Sequence, residues 1–269
     1  MVEISENKTL EEMESDKKYK RIIRVVIAAL AVFYFLVTLV LILGSLIFIP
    51  TMGMPIYVKV PWTRSNSHPS HEVNVAFLIL YMSVNLLIIG IDALFMLFTL
   101  HCVAELSVCC IYASKIDRQT NRDFIKIFVK KHLRVLHLIE TSSEVFNIMS
   151  FIQLLTSFGM AVSTLIKLTS EIDIMSITIM SAIASQLFIY CFLGSILSTM
   201  CEKLQESLYC SKWYEIKDIS IKKNILIMIG EMQRKQGYSA FGIVNIDLET
   251  YSNVIKSAYG FFNFLLKVL

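Results

Sequence analysis

Residues 174–200 read IMSITIMSAIASQLFIYCFLGSILSTM, without one Asp, Glu, Lys, Arg or Pro. As a helix this stretch extends about 40 Å, more than the roughly 30 Å of a bilayer's hydrocarbon core. A segment inside lipid must satisfy its backbone N–H and C=O groups internally, and a helix does so alone. The stretch reads as a transmembrane helix. Outward from it lie four more of the same kind, at about 25–49, 76–100, 145–166 and 248–269. The first and third of these are uncharged, the second is interrupted only by Asp92, and the last carries Lys256 within it.

Composition agrees. Of 269 residues, 55% are hydrophobic and 17% charged, against about a quarter charged in an ordinary soluble domain. The expected fold is all-α: a polytopic helical membrane protein with five spans in a single domain over 1–269. Pro50, Gly53, Pro55 and Pro61 end the first span. A shorter apolar piece at 224–232 (NILIMIGEM) cannot cross a bilayer. It is expected as a helix packed among cytoplasmic helix ends, within a set of anchor helices over about 202–237. The net charge of +3 is too small to point to nucleic acid, and none is expected as a partner.

Orientation follows from where Lys and Arg fall between the spans. The flank 17–24 and the connections after 100 and after 200 hold nineteen of them. The opposite connections and the C-terminal end hold four: Lys59, Arg64, Lys167 and Lys267. This places the N-terminus in the cytoplasm and the C-terminus outside, in a multi-pass protein of the plasma membrane. Residues 1–16 are acidic and polar, and the apolar run beyond them is too long for a cleavable signal. Asn7-Lys8-Thr9 is a glycosylation sequon that this topology hides in the cytoplasm, so it is expected to stay unmodified.

No enzyme chemistry emerges. His101 and Glu105 share a helix face at i, i+4, but no zinc signature or third ligand accompanies them. A Gly-rich phosphate loop and a nucleophile with a patterned base are both lacking in the sequence, so neither metal nor cofactor is expected. The six Cys are irregularly spaced and read as reduced thiols, with lipid attachment at Cys109–Cys110 as the alternative for that pair. Asn85 and Asp92 lie on one face of the second span, as part of a wet cavity or of a polar packing contact. Ser150, Gln153, Thr156, Ser157 and Gly159, with Ser181, Ser185 and Gln186, read as close-packing positions between helices. Asp247 and Glu249 suit the start of the last helix. Lys256 either snorkels to the inner interface or marks a helix that lines an aqueous path.

Three segments carry a resemblance: the stretch from Gln186 (QLFIYCFLGSILS), Leu208–Tyr214 (LYCSKWY), and the tail AFGIVNIDLETYSNVIKSAYGFFNFL. Together they resemble the C-terminal half of insect odorant receptors, with Lys256–Phe262 (KSAYGFF) the most specific part. Ser195 stands where members often have an acidic or amide residue. Those receptors share the inside N-terminus and outside C-terminus. They have seven spans, so the resemblance implies that these five are the third to seventh and that the sequence is an incomplete copy.

The resemblance further implies a ligand-gated, non-selective cation channel assembled with the odorant receptor co-receptor and opened by small volatile odorants. The last span would line the pore, with gate positions at Phe262, Leu265 and Leu266. Candidate pocket residues are Leu43, Ile47, Tyr81, Met82, Asn85 and Met180. Without two spans one pocket wall is missing, and this chain with only the co-receptor is expected to give no odorant-evoked current. Gustatory receptors and a fragment of a G-protein-coupled receptor are the alternatives; the second needs the reverse orientation.

Overall fold

All four prolines of the chain lie between positions 50 and 69, and beyond them no residue obliges a helix to break. The computed structural model describes residues 70–170, 174–234 and 237–268, together with Arg21, Val25, Ala28 and Val32. The rest of the span expected at 25–49, with Leu43 and Ile47, lies outside the described residues. So do the side chains of Tyr81, Met82 and Asn85. Three long rods follow the last proline: α1 (Ser70–Ser114), α2 (Arg122–Ser170) and α3 (Ile174–Tyr209). A 3-10 turn at Trp213–Glu215 leads to α4 (Ile219–Met232), and a two-residue β-hairpin, β1 (Ser239–Ala240) with β2 (Val244–Asn245), leads to α5 (Leu248–Val268).

Among the described residues three segments are long and apolar enough to cross a membrane, Leu87–Ser114, Arg122–Thr169 and Ser176–Glu215. The rods outrun the spans expected at 76–100 and 145–166. The basic stretches between those spans are helical rather than loops, because nothing between Ser70 and Ser114 or between Arg122 and Ser170 breaks a helix. The reversal is confined to residues 115–121. There Asp117 accepts from the Gln119 N–H at 2.9 Å, and Thr120 Oγ1 accepts from the Asp117 N–H at 2.8 Å, the local side-chain bonding that favours turns. α5 is long enough to span but is not among the three, because polar residues run its whole length.

The packed core sits at the Lys/Arg-rich end, beside that reversal. Phe95, Leu106, Phe128, Leu197, Leu208 and Ile225 are essentially inaccessible. There the rods emerge from their apolar stretches and water is the competing environment, so each such side chain contributes about 1.5–3 kcal/mol. Leu87, Leu94, Leu155 and Phe264 are exposed on the apolar stretches, as lipid-facing residues are. The short apolar piece at 224–232 is the greater part of α4, which buries Ile221, Ile225, Met228, Ile229 and Met232 on one face. Asp218 caps α4 by accepting from the Ser220 N–H at 2.9 Å, and Arg122 Nη2 donates to its other oxygen at 2.8 Å. That guanidinium and the capping N–H hold the Asp218 carboxyl below the usual carboxylate range.

Among the described residues the hairpin is the one departure from an all-α fold. Ile243 N–H bonds to the Ala240 C=O at 3.0 Å across a turn with Phe241 at φ 52° and Gly242 at φ 67°. A phenylalanine in the left-handed region costs about 1–2 kcal/mol. Phe241 is held there by its N–H, which donates to Asn147 Oδ1, and by its ring, which meets Phe151 edge-on at 5.1 Å. Cys109 is buried in the core, so of the adjacent pair only Cys110 is partly accessible. All six cysteines are free.

Candidate functional site

A carboxylate inside an apolar helix must find donors or lose its place in the bundle. Asp92 on α1 is 2% exposed and finds them on α3: Tyr190 donates its hydroxyl at 2.5 Å and Gln186 its amide at 2.8 Å. Gln186 and Tyr190 are one helix turn apart and so share a face.

From this node a continuous set of contacts runs toward α5. The Tyr190 ring stacks on Phe95 with centroids 4.4 Å apart, and Phe95 lies 5.2 Å from both Phe146 of α2 and Tyr238. The Tyr238 hydroxyl accepts from Thr99 at 3.2 Å and donates to Ser142 at 3.2 Å. The residue that opens the hairpin is therefore fastened to α1 and α2 at once. Burial pushes the Tyr238 hydroxyl pKa up, against the two hydroxyl bonds that lower it.

The hairpin's far end is fastened to α3. An added Cβ at Gly194 would lie 1.9 Å from the Ile246 carbonyl oxygen, so only glycine admits the hairpin backbone at that height. Next to it, Ser195 Oγ accepts from the N–H of Leu248, the first residue of α5, at 2.9 Å. Asp247 accepts from the Thr250 N–H at 2.9 Å, the N-cap bond expected of it. The hydroxyl at 195 thus also serves the helix start.

The other expected positions fall as follows. Met180 and Leu265 pack against one small cluster of Ala161, Val162 and Ala258, so a pocket candidate and a gate candidate are brought together. Phe262 is 8% exposed and turned into its own bundle, whereas Leu266 is 46% exposed. Gln153 donates to Ser157 within α2, and Thr156 donates to the Ile152 carbonyl one turn earlier. Gly159 has no atom within 4 Å of an added Cβ and so marks no close approach. Ser150 and Ser157 are buried as packing positions are. His101 is exposed, and among the described residues no cluster of three ligand-type side chains is placed to hold a metal.

Sequence reading passed over Tyr190, Thr99, Ser142 and Tyr238, and it took Gln186 for a packing residue. The available signal was Asp92 itself: a carboxylate in the second span requires donors at matching depth. The i, i+4 pair Gln186/Tyr190 supplies them from one face of the fourth.

Long apolar helices joined by a buried polar node define a multi-pass membrane protein. The family model described as 7tm Odorant receptor matches residues 3–259, and the chain belongs to that family. It is 27% identical to Odorant receptor 49a of Drosophila melanogaster over 148 residues, which span 54% of this chain and 37% of that receptor. It is 29% identical to Odorant receptor 2a of the same fly over 94 residues, 35% of this chain and 23% of the other. The fold is that of the insect olfactory receptor OR5 from Machilis hrabei, with a TM-score of 0.74 at 15% identity, covering 96% of this chain and 69% of that one. The same receptor in complex with eugenol matches with a TM-score of 0.72 at 16% identity. The family match takes the odorant side against the gustatory and G-protein-coupled alternatives.

Proposed function

We propose that this chain is a subunit of an odorant-gated, non-selective cation channel of the plasma membrane, assembled with the odorant receptor co-receptor. Its N-terminus lies in the cytoplasm, its C-terminus outside, and its spans are the third to seventh of a seven-span receptor. The observation that carries the reading is the family match over residues 3–259. The asymmetry of Lys and Arg supports the orientation. A shared fold with a receptor solved in complex with eugenol supports a small organic ligand.

The ligand is small, volatile and mostly apolar, and its pocket draws on Leu43, Ile47, Tyr81, Met82, Asn85 and Met180. A largely apolar cavity with a few polar groups suits such a molecule. Since Met180 packs on the cluster that also holds Leu265, a ligand that displaces Met180 presses on the last helix directly. Leu266 then stands in the ion path as part of a dewetting gate, with Phe262 and Leu265 packed behind it to fix its position.

Subunits join at the Lys/Arg-rich end. A groove of about 860 Å³ runs between α2 and α4, lined by Ile125, Val129, Leu133, Ile227 and Met228 and edged by Lys126. Leu226 and Ile227 are both more than half exposed on α4. The test is co-purification with the tagged co-receptor from detergent. The chain is expected in the eluate, and Leu226→Asp with Ile227→Asp should lower its recovery about tenfold, or about 1.4 kcal/mol. Equal recovery from cells with and without the co-receptor would remove the partnership.

A further inference from the structure

The last helix divides into three zones. Thr250, Ala258 and Phe262 are buried against the bundle, with Val254 and Leu265 half-buried on the same side. On one flank Ile255, Tyr259 and Leu266 are exposed, and on the other Phe261, Phe264 and Val268. Between the flanks, opposite the packed side, runs Glu249–Asn253–Lys256–Gly260–Asn263–Lys267. These positions advance by alternating steps of four and three, which keeps them in one stripe along the helix. All are exposed except Asn263, which is half-buried. No apolar side chain interrupts the stripe along the length of the helix.

Lipid cannot be the neighbour of such a stripe. An ammonium and two amides facing hydrocarbon are costly, and intramembrane polar groups face a bundle interior or water. The bundle interior is already taken by the opposite side. Lys256 lies about 12 Å beyond the helix start, and Lys267 about 16 Å further on. Each can lift its ammonium along its stem, but the Asn253 and Asn263 amides are too short to do so. Apart from Leu266 at the gate, the greasy flanks suit lipid or neighbouring subunits, and they leave the stripe for water.

We propose that this stripe is the water-facing lining contributed by the chain, and that Lys256 sets a positive field in it that disfavours cations, divalent ones most. The inference rests on the channel reading and deepens it, since family membership alone does not say which residues meet the ions. Fixed charges lining a pore bias which ions enter. A cationic lining from this chain leaves cation passage to depend on the partner subunits' share of the path.

The test is cysteine accessibility in the complex with the co-receptor, on surface-biotinylated protein and above the background of the parent chain. Gly260→Cys is the stripe probe, because an added Cβ there meets nothing within 4 Å. Tyr259→Cys and Phe264→Cys are the flank probes. The membrane-impermeant anionic reagent 2-sulfonatoethyl methanethiosulfonate is expected to modify Gly260→Cys at least about tenfold faster than either flank probe, since the thiolate forms in water and not in lipid. It should also outrun the cationic 2-trimethylammonioethyl reagent by about threefold or more, a preference that Lys256→Gln abolishes and Lys256→Arg retains. Equal modification of stripe and flanks, or an inert Gly260→Cys, overturns the lining. An anionic preference untouched by Lys256→Gln overturns the role of that residue. If Gly260→Cys is inert while the chain still co-purifies with the co-receptor, the lining is wrong and the partnership stands. A reactive, charge-selective stripe in surface protein that does not co-purify with the co-receptor keeps the lining and sinks the partnership.

Discussion

Asp92→Ala is expected to destabilise the protein by about 2–4 kcal/mol, since it leaves two donors without their acceptor at about 1–3 kcal/mol for each one buried. The substitution leaves the Gln186 amide and the Tyr190 hydroxyl facing the space that the carboxylate occupied. Tyr190 is buried and Gln186 half-buried, so the hydroxyl carries its desolvation penalty in full and the amide in part. Asp92→Asn keeps the shape and one acceptor oxygen and should cost less, about 1–2 kcal/mol. Tyr190→Phe removes only a hydroxyl. Combined with Asp92→Ala it should add less than its separate effect, because the two residues share one interaction. The measurement is the temperature at which the detergent-solubilised protein loses its monodisperse elution peak. An Asp92→Ala variant that melts with the parent would show that the node is no support of the bundle.

Gly194→Ala should act at the other end of the same contacts. With its Cβ 1.9 Å from the Ile246 carbonyl oxygen, the hairpin must lift away from α3. The Ser195–Leu248 bond lies one residue on and would be lost with it. Overpacking of this kind costs about 1–3 kcal/mol, more where backbone meets backbone. Because the displaced segment leads straight into α5, the detergent-solubilised protein should lose its monodisperse elution peak at a lower temperature than the parent. Gly230→Ala is the control: nothing stands within 4 Å of its added Cβ, so the change should be neutral or stabilise α4 by about 0.5–1 kcal/mol. Comparable loss of folding in both variants would remove the close approach as the cause.

Much of the fold was legible because membrane insertion imposes a coarse code. An uncharged run such as 174–200 has few alternatives to a spanning helix. What the code leaves out is how far helices continue into water. The segment 122–144 is charged and reads as a connection, yet without Pro or Gly it extends α2 as a rod. The hairpin at 239–245 escaped because two-residue strands carry no periodicity. Its position is dictated by distant residues, Asn147 and Gly194, that no local pattern ties to it.

The site divides in the same way. Asp92 was conspicuous as the one charge in the second span, but its partners are 94 and 98 residues away. Only packing α1 on α3 identifies them. Residue type on α5 did not give direction. Phe262, Leu265 and Leu266 are equally apolar in the sequence, yet one is buried, one half-buried and one exposed. Lys256 posed an open choice between snorkelling and an aqueous face. Seen against the buried side of α5, it belongs to a stripe of six polar or small positions, which favours the second.

Every assignment of pocket, gate and stripe presumes that α5 runs outward through the membrane. The direct measurement is an epitope tag fused after Leu269, stained on intact and on permeabilised cells, with surface delivery established separately by biotinylation. Staining of intact cells is the predicted result. Staining only after permeabilisation, in protein shown to be at the surface, would put the C-terminus inside and contradict the assigned topology.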